Sequence, residues 1–252
     1  MRSGIAALYS AIVYCLFLGV FVYAILFVEG LFVPKTIDSG IAGDLVMSLA
    51  INTALLGIFA VQHSVMARPA FKRVWTKIVP AEMERSTYVL FATAALALLL
   101  WQWQPIPQLV WSVTDPVGAG VIMAVSFGGW GLLLLSTFLI SHFHLFGLHQ
   151  GFARIIGLKE GDGAFVTPLF YKWIRHPLYL GFIIAFWAAP QMSIGHLFFA
   201  AATTAYIFIG IWLEERDLVA HFGERYRQYR RAVGMLFPRL GTPPERHETR
   251  TR

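Results

Sequence analysis

Six runs of apolar residues, at 4–28, 45–67, 87–103, 117–140, 178–190 and 194–213, alternate with polar stretches along the chain. Most have the roughly 20 residues that a helix needs to cross a bilayer. Their near-absence of charge sets them apart from amphipathic helices, whose polar faces recur every three to four residues, and predicts membrane spans. The fifth run is short, and Ala-Ala-Pro-Gln-Met-Ser-Ile-Gly at 188–195 is a turn signal. The last two runs therefore pair as a tight hairpin, whose first arm either extends back through Trp173 or ends below the far surface. The first run exceeds a signal-peptide core and precedes Glu29 and Pro34 without a small-residue cleavage site, so it reads as a retained helix. Six crossings place both termini on one side.

Composition agrees with a lipid solvent. At 57% hydrophobic, 13% charged and a mean hydropathy of +0.63, the chain is too apolar for a soluble domain. The expectation is an all-α, polytopic integral membrane protein forming one domain over 1–252. Residues 1–140 supply N-terminal transmembrane helices, 141–238 a region with the hairpin and an interfacial helix, and 239–252 a loose tail. Within 214–238, Leu218, Phe222, Tyr226 and Tyr229 recur at three- and four-residue steps, turning Arg225, Arg227, Arg230 and Arg231 toward lipid phosphates. The single cysteine, Cys15, excludes an internal disulfide framework and a multi-cysteine zinc site, and is expected as a small core filler. Trp101, Trp103 and Trp111 are expected in an interfacial belt.

Basic residues fall almost entirely on one side of this topology. Arg2, the 68–85 and 141–175 loops and the tail after position 213 carry them, and Lys35 alone lies opposite. Because lysine and arginine favour cytoplasmic loops, both termini are expected in the cytoplasm. The +6 net charge and pI near 9.6 thus reflect membrane orientation, and no basic-aromatic motif points to nucleic acid. No sequence feature specifies an oligomeric state.

Two polar clusters bound the hairpin. Arg175-His176-Pro177-Leu178-Tyr179 opens it, and Glu214-Glu215-Arg216-Asp217-Leu218 lies where it returns to water. Pro177 suits the first turn of a helix, whose free N–H groups attract an anion. Arg175 adds a planar charged fork, His176 and Tyr179 add donors, and the glutamates offer acceptors for an ammonium or for ribose hydroxyls. That is a socket for a zwitterion. The alternative is a basic membrane boundary with the acids capping a span. Glu214 and Glu215 point about 100° apart on a helix, and the sequence leaves open which of them contacts the ligand.

These clusters, followed by Phe222-Gly223-Glu224-Arg225-Tyr226-Arg227-Gln228-Tyr229 and Pro238, resemble the C-terminal signature of the isoprenylcysteine carboxyl methyltransferase superfamily. Within it the chain is more similar to bacterial methanethiol S-methyltransferases, through Gln62-His63-Ser64-Val65-Met66-Ala67-Arg68-Pro69, Glu84-Arg85-Ser86-Thr87-Tyr88, Ala185-Phe186-Trp187-Ala188-Ala189-Pro190 and Gly195-His196-Leu197. The resemblance spans roughly 62–238 and departs from the superfamily at His144 and His149. It implies a bacterial inner-membrane enzyme that methylates methanethiol to dimethyl sulfide with S-adenosyl-L-methionine, held by Arg175, His176, Tyr179, Glu214 and Glu215. Alternatives are another thiol, a prenyl-cysteine carboxylate or a lipid amine as acceptor, or a non-catalytic membrane binding or transport protein.

Methylating a small thiol requires the thiolate, so a base must take the proton. His63, about one helical turn inside the membrane from Arg68, is the first candidate for this catalytic role. A satisfied histidine at a helix end is the competing reading. His142 and His144 lack further ligands for a metal, and none is expected. His196 is placed at the opposite surface as a packing residue, His221 and His247 at the surface, and Phe186 and Trp187 either line a pocket or pack.

Overall fold

A computed structural model describes residues 2–157 and 167–239. In chain order its elements are α1 (Arg2–Glu29), α2 (Leu45–Ala67), α3 (Pro69–Trp75), α4 (Ala81–Gln102), β1 (Leu109–Ser112), α5 (Pro116–Ile140), α6 (His142–Leu145), α7 (Leu148–Ile156), a 3-10 turn (Leu169–Lys172), α8 (Pro177–Trp187), β2 (Gln191–Ser193), α9 (Ile194–Phe222) and α10 (Glu224–Ala232). Among the described residues, α1, α2, α4, α5 and α9 are long and apolar enough to cross a membrane. The chain is an all-α polytopic membrane protein. Positions from 240 onward, which include most of the tail expected to be loose and His247, lie outside the described residues.

Local chemistry sets the helix starts. Asp44 accepts from the Met47 N–H at 2.9 Å to cap α2, and Asp115 accepts from Gly118 at 2.7 Å to cap α5, ahead of Pro116. Ser193 caps α9 by accepting from His196 at 2.9 Å.

The helix ends gather into two polar groups. At one end Asn52 clamps the backbone of Gln104 with two bonds of 2.8 Å, and the Trp103 indole donates to the Ile37 carbonyl at 3.1 Å. There β1 pairs antiparallel with β2, and Ser193 donates to Asp38. At the other end Ser86 donates to Ser10 at 2.7 Å, Tyr9 bonds Thr87 at 3.0 Å, and Arg85 donates to the Leu145 carbonyl at 2.8 Å. Gly147, at φ +84°, lies against Ser86 so closely that a Cβ would meet its backbone nitrogen at 2.7 Å. This second end carries Arg68, Arg85, Lys172, Arg175 and the arginines of α10, and Lys35 lies at the first. We call them the basic end and the clasped end.

The hairpin is less regular than its hydrophobic runs predict. Helix α8 has 11 residues, begins at Pro177 and does not extend back through Trp173. Beyond Trp187 the chain leads into β2, which pairs with β1, and the Val113 N–H just past β1 donates to the Pro190 carbonyl at 2.8 Å. Helix α8 packs along α5 at a crossing of glycines. A Cβ on Gly129 would lie 2.7 Å from the Gly181 carbonyl, and one on Gly181 would lie 2.7 Å from the Gly129 carbonyl. Small residues permit this close backbone approach.

Two expectations are corrected here. Trp103 is fully buried in the core rather than part of a belt, because its indole is needed at Ile37; Trp101 is exposed. Cys15 is exposed and lines an outward apolar groove with Ala11, Ile12, Leu16, Gly19 and Val20. Buried Val13 lies two residues, about 200°, away on the same helix, so the helix turns the cysteine outward. Phe186 packs against Trp130 and Phe199 at ring-centroid distances of 5.6 and 5.0 Å. His221 is exposed.

Candidate active site

The N-terminus of α8 and the last turns of α9 face each other at the basic end. Helix α9 does not stop at Leu213 but continues through Phe222, so both acids project from an intact helix. Glu215 turns inward. Its Oε1 accepts from Arg175 Nε at 2.7 Å and lies 3.1 Å from His176 Nε2, and all three side chains are nearly buried. Glu214 points sideways and accepts from the Tyr179 hydroxyl at 3.0 Å, with its side chain 44% exposed. His176 Nδ1 lies 3.9 Å from Glu214 Oε2, closing the cluster.

A third strand of chain completes it. After Gly223, at φ +58°, α10 runs back and the backbone at 233–235 lies beside 174–176. Arg175 N–H donates to Gly234 at 2.8 Å and His176 N–H to Met235 at 3.1 Å. The Arg175 guanidinium also donates to the Arg230 carbonyl at 3.0 Å and to the Val233 carbonyl. Arg230 Nη1 stands 3.7 Å from Glu215 Oε2. Arg175 therefore holds Glu215 and the returning backbone together. Burial, with the nearby carboxylate of Glu215, pushes the hydroxyls of Tyr226 and Tyr229 above their ordinary range, so they remain neutral.

His63 lies on α2, beside this cluster rather than within it. Helices α2 and α9 are joined by Ser64 and Tyr206, whose hydroxyl oxygens are 3.0 Å apart, and by Arg68 to Asp217 at 2.8 Å. The His63 ring stacks on Phe59 at 5.3 Å and meets the Tyr88 hydroxyl at 3.0 Å. Tyr88, Tyr206 and the Arg68–Asp217 pair are site neighbours that residue patterning did not assign, although Arg68 and Tyr88 belong to the stretches that carry the resemblance.

Two further histidines have structural partners. His142 bonds Tyr14 through Nε2 and Thr137 through Nδ1, each at 2.7 Å, and stacks on Phe138. His196 is buried at the clasped end, 3.0 Å from the Phe186 carbonyl. Among the described residues no three His, Cys, Asp or Glu side chains group as metal ligands.

The donor set fits an organic zwitterion. Glu214 keeps an oxygen toward solvent for an ammonium or hydroxyl pair, Glu215 is held by Arg175 and His176, and no side chain caps the N-terminus of α8.

Comparison with known proteins decides the family. The chain is 55% identical over 234 residues to methanethiol S-methyltransferase 1 of Bradyrhizobium diazoefficiens, covering 93% of this chain and 82% of that protein. It is 48% identical to methanethiol S-methyltransferase of Mycobacterium tuberculosis, over 94% of this chain and 98% of the relative. With the Pseudomonas deceptionensis enzyme of the same name it shares 51% identity over 84% and 81% of the two chains. The chain belongs to the methanethiol S-methyltransferase family. No protein-family model matches it, and no solved structure does. Family membership makes the basic-end cluster a candidate site for a methyl donor, and α1, α2, α4, α5 and α9 mark a multi-pass member of that family.

Proposed function

We propose that the protein transfers the methyl group of S-adenosylmethionine to methanethiol, releasing dimethyl sulfide and S-adenosylhomocysteine, in a bacterial inner membrane with both termini in the cytoplasm. The observation that carries this reading is the buried Arg175–Glu215–His176 group joined to Tyr179–Glu214, in a chain of this family. Bound there, S-adenosylmethionine would supply a sulfonium-activated methyl group. Glu214 would receive its ammonium or ribose hydroxyls, and the first turn of α8 its carboxylate. Arg175 and His176 keep Glu215 ionised and oriented.

His63 takes the thiol proton, since the thiol itself is a poor nucleophile. Val13, Met66, Tyr88 and Val89 form an apolar cluster around this part of α2. Excluding water there favours a reaction in which opposite charges on the thiolate and the sulfonium are neutralised. The concentration of lysines and arginines at one end supports the orientation.

A headspace assay on purified protein tests the activity. Dimethyl sulfide should form only when S-adenosylmethionine and methanethiol are both present. Cofactor turnover with a prenyl-cysteine or a lipid amine and none with methanethiol would reassign the acceptor.

A further inference from the structure

Four residues of α9 share one face. Tyr206, Gly210, Glu214 and Asp217 recur at steps of four, four and three, turned away from the exposed side chains of Phe208, Ile209 and Trp212. Three of them reach a neighbouring helix: Tyr206 meets Ser64 of α2 at 3.0 Å, Asp217 meets Arg68 of α2 at 2.8 Å, and Glu214 meets Tyr179 of α8 at 3.0 Å. Gly210 stands among them with no side chain. A Cβ placed there would find no neighbour within 4 Å among the described residues. Gly131 of α5 is equally open, but it is exposed on the outside of the bundle. Gly210 is half-buried and lies on the side of α9 turned toward α2 and α8, so the space before it is a hollow between helices.

This hollow lies between the two halves of the proposed reaction. Glu214, one turn or about 6 Å toward the basic end, belongs to the donor socket. Tyr206, one turn the other way, bonds Ser64, the residue next to His63. Position 210 also falls within the apolar run at 194–213, and Glu214 is the first charge beyond it. A zwitterionic sulfonium donor is held where the charges are, whereas the space deeper along α9 suits a small uncharged molecule. We propose that the hollow before Gly210 is the acceptor subsite, which seats the methyl group of methanethiol and directs its sulfur at the donor. This rests on the reading that methanethiol is the acceptor. A thiol in the hollow approaches the sulfonium methyl from the membrane side, and the reacting atoms must come within about 3–3.5 Å in line. Any side chain at 210 would occupy that room and push the thiol off the line.

Gly210→Ala and Gly210→Val add side-chain carbons where a Cβ meets no neighbour, so in nanodiscs both should fold and melt no lower than the parent protein. Their affinity for S-adenosylmethionine should also be parental. Headspace rates should show kcat/KM for methanethiol falling about tenfold in Gly210→Ala and about a hundredfold in Gly210→Val. Gly131→Val, equally open but outward, should keep the parental rate. Parental kcat/KM in both Gly210 variants overturns the proposal. A loss of S-adenosylmethionine affinity large enough to account for the lost rate overturns it too, because the hollow would then belong to the donor. If Gly210→Val cannot be purified folded, Gly210→Ala decides alone. A parent protein that makes no dimethyl sulfide would remove the activity itself, whereas an active parent with indifferent Gly210 variants would remove only the subsite.

Discussion

Glu214 and Glu215 are adjacent in sequence and unlike in structure. One is half open to solvent and holds a tyrosine; the other is buried between Arg175 and His176. Their substitutions should therefore separate binding from folding. Losing a charge-assisted contact costs about 1.5–3 kcal/mol, or roughly ten- to hundredfold in affinity. Glu214→Ala should weaken S-adenosylmethionine binding by about that factor and, as an exposed residue, leave thermal stability within about 1 kcal/mol. Glu215→Ala leaves the Arg175 guanidinium buried without its carboxylate, a change that costs about 3–5 kcal/mol, so both affinity and melting temperature should fall. Calorimetric titration and thermal unfolding in detergent check both; unchanged affinity in each folded variant would remove the socket. At His63, the proposed base, His63→Ala should keep its cofactor affinity and lose about a hundred- to ten-thousandfold in turnover at neutral pH. Raising the pH should partly restore it, because more of the thiol then arrives ionised; rates measured across the pH range decide this. The cluster proposed as the socket was legible because each of its members is a charged or polar interruption of an apolar pattern. Their division of labour was not, since Arg175 is committed to carbonyls at 230 and 233 that no local pattern predicts.

At the scale of elements, apolar runs located the spans well where lipid alone decides them. Helix α2 matches its run at 45–67, and α8 and α9 begin at or beside the residues that proline and the turn signal mark. Boundaries failed where tertiary partners replace water. Helix α9 runs nine residues past its apolar run because Glu215 and Asp217 find cations on other segments. Helix α8 stops early because β1 satisfies the backbone that a longer helix would have satisfied itself. Helices α3 and α7, in the loops at 68–85 and 141–175, carry no span-length signal and were not anticipated. The glycine crossing was equally silent, since a small residue in an apolar run reads the same whether it faces lipid or another backbone. It makes a sharp prediction. Gly181→Val places side-chain atoms against the Gly129 carbonyl and the Leu133 backbone nitrogen, where even a Cβ would approach within 2.7–2.8 Å. Overpacking of this kind costs about 1–3 kcal/mol, so melting temperature should drop. Gly131→Val, where nothing stands within 4 Å of a Cβ, should melt like the parent protein.

For the whole molecule, the charge asymmetry and the pairing of helix ends are independent observations that agree. Charges alone group the loops around 68–85, 141–175 and 214–239, and direct bonds bring the same segments to one end. Reporter fusions after Arg73 and at the C-terminus should give a cytoplasmic signal and fusions near Asp38 and Asp115 a periplasmic one; a periplasmic C-terminus would overturn the orientation. The clasped end adds something that topology does not. There the α1–α2 and α4–α5 loops and the hairpin turn are cross-linked through Asn52–Gln104, Trp103–Ile37, Asp38–Ser193 and a strand pair. These pairings tie together three loops far apart in sequence, so the end remote from the candidate site is held by bonds of its own, separate from those that assemble the site.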